Sequence, residues 1–157
     1  MIVVFYGKRN SGKTTLCREF YGWVKQNLPL RCHYLDADKL RFVYGLKGFS
    51  EQTERALIQK AMEISRYEES LNDVVLISIS FAYKDQREVF EENRGILWIP
   101  LTHDESKRTT NKKEFENPQF EKLENQIDTS ENDIKSALNT VIQRYKDFCV
   151  TSQYKGK

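Results

Sequence analysis

The sequence has no apolar run long enough to span a bilayer and no basic-then-apolar leader. A membrane-spanning or exported protein is therefore not expected, and the chain reads as cytoplasmic. Cysteine is sparse. Cys17, Cys32 and Cys149 are odd in number and lack close pair spacing, which argues against a disulfide framework and against a zinc site and leaves packed thiols. An excess of one charge is also missing. Lys and Arg number 25 against 23 Asp and Glu, a net charge of +2. A protein that lives on nucleic acid needs a dense basic face, so nucleic acid is not the expected partner. Repeats, low-complexity tracts and linkers are absent. The 157 residues suffice for one domain with a proper core, read as residues 1–150 followed by a polar, fraying tail at 151–157.

Against this plain background one stretch stands out. Gly7-Lys8-Arg9-Asn10-Ser11-Gly12-Lys13-Thr14 reads G-x-x-x-x-G-K-T, a phosphate-binding loop. Its context agrees with its letters. The β-branched and aromatic run Ile2–Tyr6 feeds into it as a strand, and Leu16, Phe20 and Trp23 recur at helical spacing over Thr14–Gln26 behind it. In such a unit the backbone N–H groups and the helix N-terminus surround phosphate oxygens. Gly7, Asn10, Ser11, Gly12, Lys13, Thr14 and Thr15 are the candidate nucleotide-binding residues. Lys13 is placed to reach the β- and γ-phosphates, and the Thr14 hydroxyl to bind Mg²⁺.

Strand and helix signals alternate through the rest of the chain. Strands are expected at Arg31–Leu35, Val74–Ile79 and Ile96–Leu101, with a short one ending near Ile127. Helices are expected from a Ser50 N-cap to about Leu71, over Asp85–Asn93, and from a Ser130 cap along the stripe Ile134, Leu138, Val141, Ile142 and Tyr145. This alternation implies an α/β fold: a doubly wound, five-stranded parallel sheet with helices on both faces. Ligands in that architecture bind at the carboxyl ends of the strands. The polar segment 104–125 carries the basic cluster Lys107, Arg108, Lys112 and Lys113; it is either a lid over phosphates or a solvated surface.

Leu35-Asp36-Ala37-Asp38-Lys39-Leu40-Arg41 falls just past the second strand, on the expected ligand side. Carboxylates two residues apart there either cap a helix or serve a reaction. An Asp beside transferring phosphates can hold a Mg²⁺-bound water or take a proton from an attacking hydroxyl, and Arg41 can clamp an anion. Of the two histidines, His33 lies inside a strand and reads as structural. His103 follows the fourth strand, where it either packs or touches a ligand.

With these residues in place the chain resembles the adenylylsulfate kinase family. That family follows its phosphate loop with L-D-G-D-N-x-R, here Leu35–Arg41. It then has G-F-S and an Asp-Arg pair, here Gly48-Phe49-Ser50 and Glu54-Arg55. After the third strand comes S-P-Y-R-x-x-R, here Phe81-Ala82-Tyr83-Lys84-Asp85-Gln86-Arg87, and near the end I-D-T-S, here Ile127–Ser130. The resemblance implies transfer of the γ-phosphoryl of ATP, with Mg²⁺, to a ribose hydroxyl of a nucleotide-like acceptor. That acceptor would be adenylylsulfate or a relative such as cytidine diphosphoramidate. It implies Asp38 as the base, Asp36 on the metal side, Phe49 stacked on the acceptor's base, and Arg41, Arg55 and Lys84 around its anionic end. A homodimer is also implied, with Tyr21 and Trp23 as exposed-looking aromatics. The chain departs from the family at Leu57 or Ile58, where the family has Asn, and at Phe81-Ala82, where it has Ser-Pro. Rival readings are a kinase of nucleic-acid ends and a nucleotide-binding regulator without transfer activity.

Overall fold

A computed structural model describes the backbone of residues 1–92, 95–103 and 126–155, with side chains as far as 152. The segment expected to form a lid lies outside the described residues. The described chain runs β1 (Ile2–Gly7), α1 (Lys13–Asn27), β2 (Cys32–Asp36), α2 (Ala37–Val43) and α3 (Glu51–Glu69). It continues through β3 (Val74–Ile79), α4 (Lys84–Glu91), β4 (Ile96–Thr102), β5 (Ile127–Asp128) and α5 (Ile134–Lys155). All five strands are parallel, in the order β2-β3-β1-β4-β5.

The strands read as unbroken apolar runs because both faces of the sheet are covered. Ile2, Val4 and Tyr6 of β1 face one layer with Leu57, Ile58, Ala61 and Phe90 from α3 and α4. Val3 and Phe5 face the other, with Leu16, Phe20 and Val24 of α1 and Ala137, Val141 and Tyr145 of α5. The doubly wound arrangement expected from the alternation is therefore the observed one. Connections leaving β1 run toward β2, and those leaving β3 run back across β1 toward β4. The strand order thus reverses between β1 and β3, the point at whose carboxyl ends open α/β sheets bind ligands. Gly7, Asp36, Ser80 and Thr102 all lie along that edge.

Four local expectations change. Helix α2 has no periodic signal; its Phe42 and Val43 are 87% and 71% exposed, so no apolar stripe marks it. Helix α5 starts later than Ser130, at an Asp133 cap whose carboxylate accepts from the Ser136 N–H at 2.7 Å. Ser130 instead donates to Asp128, and Ile134, expected on the buried stripe, is exposed. The same helix continues to Lys155. Tyr21 and Trp23 are partly buried rather than exposed. Trp23 stacks on Phe20 at 5.7 Å between centroids and meets Tyr145 edge-on, and Tyr21 packs toward Tyr34.

The Ser50 cap of α3 is as expected, accepting from the Thr53 N–H at 3.2 Å. All three cysteines are free thiols. Burial raises the Cys17 thiol and pushes Cys32 up to about 11, so both are packing groups rather than nucleophiles. Moving the α5 cap has a measurable consequence. Asp133→Ala should destabilise the domain by about 1 kcal/mol in urea unfolding and speed amide exchange in the first turn of α5. Ser130→Ala should leave that exchange unchanged.

Candidate active site

The loop between β1 and α1 is shaped by what its glycines cannot exceed. A Cβ on Gly7 would lie 2.3 Å from the Leu101 carbonyl oxygen and 2.8 Å from Ser11 Oγ, so only glycine lets the loop turn against β4. Gly12 sits at φ +89° and Asn10 at φ +62°, left-handed positions suited to those residue types. Ser11 is buried, and its hydroxyl has no hydrogen-bond partner among the described residues. Lys13 Nζ donates to the Lys8 carbonyl at 2.6 Å, across its own loop. Thr14 is half-buried on the first turn of α1, and Thr15 is exposed beside it. That turn holds no acidic residue, so nothing there offsets the helix's positive end. A glycine-bearing turn at a helix N-terminus, with an unmet buried hydroxyl and a lysine folded back across it, fits a phosphate chain.

Asp36 and Asp38 leave the carboxyl end of β2. Asp36 is the N-cap of α2, its Oδ1 accepting from the Asp38 N–H at 3.0 Å. The cap and the ligand-facing reading are compatible, since the bond occupies one of four lone-pair sites. Asp38 is exposed in the first turn of α2. β2 and β1 flank β3 directly, so the aspartates and the phosphate loop leave strands about 10 Å apart. That spacing suits a terminal phosphoryl group and an attacking hydroxyl between them.

Of the residues expected around an acceptor, Arg41 lies beside Phe49 and Arg55 beside the start of α4, and both guanidiniums are more committed than the sequence suggests. Arg41 pairs with Glu54 and donates to the Gly48 carbonyl at 2.7 Å. Glu54 is only 2% exposed, and its second oxygen accepts from Ser80 Oγ at 3.1 Å. Sequence reasoning missed this carboxylate as a structural group. The signal was there: Glu54 lies on the stripe of Leu57, Ile58 and Ala61, and a buried carboxylate requires a cation. Leu57 and Ile58 are therefore core residues beneath the sheet. Arg55 lies over the Tyr83 ring and pairs with Glu51 at 3.0 Å and Asp85 at 2.8 Å. The guanidinium holds the Asp85 carboxyl below its ordinary range, and these carboxylates raise Arg55 in turn. Lys84 is exposed at the start of α4, on the same edge of the sheet.

Phe49 is 38% exposed, with the Arg9 guanidinium 4.0 Å and that of Arg41 4.7 Å from its ring centre. Arg9 belongs to the phosphate loop and was not singled out by the motif, whose variable positions carry no pattern. Beyond β3, Phe81 adopts φ +44°, rare for an aromatic residue. Its ring is wholly buried against Phe90 and Trp98, and Arg87 donates to its carbonyl at 2.8 Å. Past β5, the Thr129 hydroxyl reaches the Ser11 carbonyl and His103 Nδ1.

No protein-family model matches the sequence, and no curated protein matches it. Solved structures match over nearly the whole chain. The crystal structure of APE1195 has a TM-score of 0.73 at 21% identity, covering 94% of this chain and 95% of that one. A gluconokinase from Sinorhizobium meliloti 1021 has 0.71 at 12% identity, with 99% and 97% covered. The APS kinase CysC of Mycobacterium tuberculosis, in complex with AMPPNP and APS, has 0.70 at 13% identity, with 92% and 96% covered. Likeness at such identities is likeness of fold, and the chain has the phosphate-loop, kinase-like α/β fold.

Proposed function

We propose that this protein is a small-molecule kinase that moves the γ-phosphoryl of ATP, with Mg²⁺, to a ribose hydroxyl of a nucleotide conjugate. The observation that carries the reading is that Lys13 follows β1 and the Asp36–Asp38 pair follows β2, the two strands that flank β3, so both come at the carboxyl ends of the sheet. The loop from Gly7 through Asn10, Ser11 and Gly12 to Thr15 would hold the phosphate chain, with Lys13 on its β and γ groups. Thr14 and Asp36 would hold Mg²⁺, which when bound neutralises charge on those groups. Asp38 would accept the proton of the acceptor hydroxyl as its oxygen bonds to phosphorus and the bond to the β-phosphate oxygen breaks. Phe49 offers a flat face to a planar base once the guanidiniums over it yield. Arg41, Arg55 and Lys84 surround its anionic end, the first two while bound to carboxylates of their own.

Two features support a nucleotide-like acceptor over a nucleic-acid end. The net charge of +2 is nearly balanced, and Arg41 and Arg55 are partly neutralised by Glu54 and Glu51. Keeping Lys13, Thr14, Asp36 and Asp38 together supports transfer over mere binding. The deciding experiment offers adenylylsulfate, other nucleotide conjugates, gluconate and an oligonucleotide end with ATP and Mg²⁺, and scores ADP release. Acceptor-dependent release with a nucleotide conjugate supports the proposal. Release with gluconate or the oligonucleotide alone overturns the acceptor class, and nucleotide binding without any transfer points to the regulator.

Two variant sets test the roles. Lys13→Ala should abolish turnover while leaving the unfolding midpoint unchanged; near-normal transfer would refute the loop's part. Asp38→Asn should lower kcat by about 10²-fold with little change in the KM for ATP. Asp36→Asn should instead raise the Mg²⁺ requirement with the fold intact, since Asn caps a helix about as well as Asp. A shift in Mg²⁺ requirement alone for both variants would show that the two carboxylates do not divide the work this way.

A further inference from the structure

We infer that Thr129 is a positioning residue for the nucleotide: its hydroxyl holds the Ser11 carbonyl and thereby aims the Gly12 N–H at the bound phosphates. The inference rests on the reading of Gly7–Thr14 as a phosphate-binding loop. Thr129 follows β5 directly, and its N–H donates to the Thr102 carbonyl at 2.9 Å, which pins it to the end of β4. Its Oγ1 lies 2.9 Å from the Ser11 oxygen, 3.1 Å from the Thr102 oxygen and 3.0 Å from His103 Nδ1. A hydroxyl has a single proton to give. The Thr102 oxygen already receives the Thr129 N–H, and a proton on His103 Nδ1 can be donated to Oγ1. Of the two carbonyls the Ser11 oxygen is the nearer, and it takes the hydroxyl proton.

That bond orients a peptide plane. No peptide in the described structure is cis, and in a trans peptide the C=O and the following N–H point in opposite directions. Drawing the Ser11 carbonyl toward β5 turns the Gly12 N–H the other way, where it meets no acceptor among the described residues. Gly12 is also where the chain turns left-handed into α1. The Thr129 methyl closes the back of this turn, since a Cβ on Gly12 would come within 3.2 Å of Thr129 Cγ2. The loop donor that has to be preset for a phosphate is therefore preset by a side chain 118 residues away.

The test separates the hydroxyl from the methyl. Wild type, Thr129→Val and Thr129→Ser are titrated by calorimetry with Mg·ADP, Mg·AMPPNP and inorganic tripolyphosphate, and their unfolding midpoints are compared. Val keeps the shape and loses the hydroxyl; it should weaken all three ligands about tenfold, the size of one hydrogen bond. Ser keeps the hydroxyl and should stay within about twofold of wild type. Wild-type affinity in a folded Val variant, or a Ser variant as weak as Val, overturns the inference. Should the Val variant fail to fold, Thr129→Ala replaces it: Ala weak and Ser strong supports the role, and Ala equal to Ser overturns it. Absence of binding by wild type itself overturns the phosphate-loop reading, and the inference falls with it.

Discussion

The parallel pairing of β1 with β3 on one side and β4 on the other is the constraint on which everything else hangs. It brings Gly7 so close to Leu101 that a side chain has no room, and the phosphate loop inherits its turn from that contact. It also buries β1 on both faces, so α1 and α5 are held on one side and α3 and α4 on the other. The edge residues that bear chemistry are then brought together by strand ends rather than by proximity in sequence. Asp36 stands opposite Ser78 in β3, and Tyr6, just before the loop, stands opposite Ile79.

The loop and the acceptor side are tied together by charge. Arg9 leaves the loop and lies over Phe49, which Arg41 also approaches; Arg41 is held by buried Glu54, and Glu54 by Ser80 at the end of β3. The chain of contacts runs from the β1–α1 loop through Phe49 and back to the sheet. Arginines are expensive to leave alone in a half-buried place, and Glu54, Glu51 and Asp85 partner these two. Under the proposed function, an incoming anion would compete with Glu51, Asp85 or Glu54 for a cation rather than meet a bare one. Selectivity in such a site lies in the difference between two ion pairs, not in the strength of one.

The fold was largely legible because its main elements carry strong local signals. Ile2–Tyr6 and Val74–Ile79 are continuous apolar runs, and α1 and α3 repeat their apolar residues at helical spacing. Helix α2 was not legible, being short and turning Phe42 and Val43 to solvent. The Ser130 cap was misplaced because Asp133 is an equally good cap three residues later, and the intervening turn belongs to Asp128. The loop was legible as a motif, whereas its supports were not. Glu54 was hidden by being charged in an apolar stripe. Thr129 was hidden because nothing in a linear pattern connects it with Ser11.

The aromatic packing also has a spectroscopic consequence. The protein has two tryptophans, and they lie on opposite faces of the sheet. Trp98 meets Tyr6, Phe81 and Phe90 on the α3–α4 side, while Trp23 meets Phe20 and Tyr145 on the α1–α5 side. Each indole is a native fluorophore for one layer. Emission from a Trp98-only protein follows the half that supports the acceptor face, and emission from a Trp23-only protein follows the half packed behind the phosphate loop. The molecule thus carries its own pair of optical probes for whether its two cores loosen together or in turn.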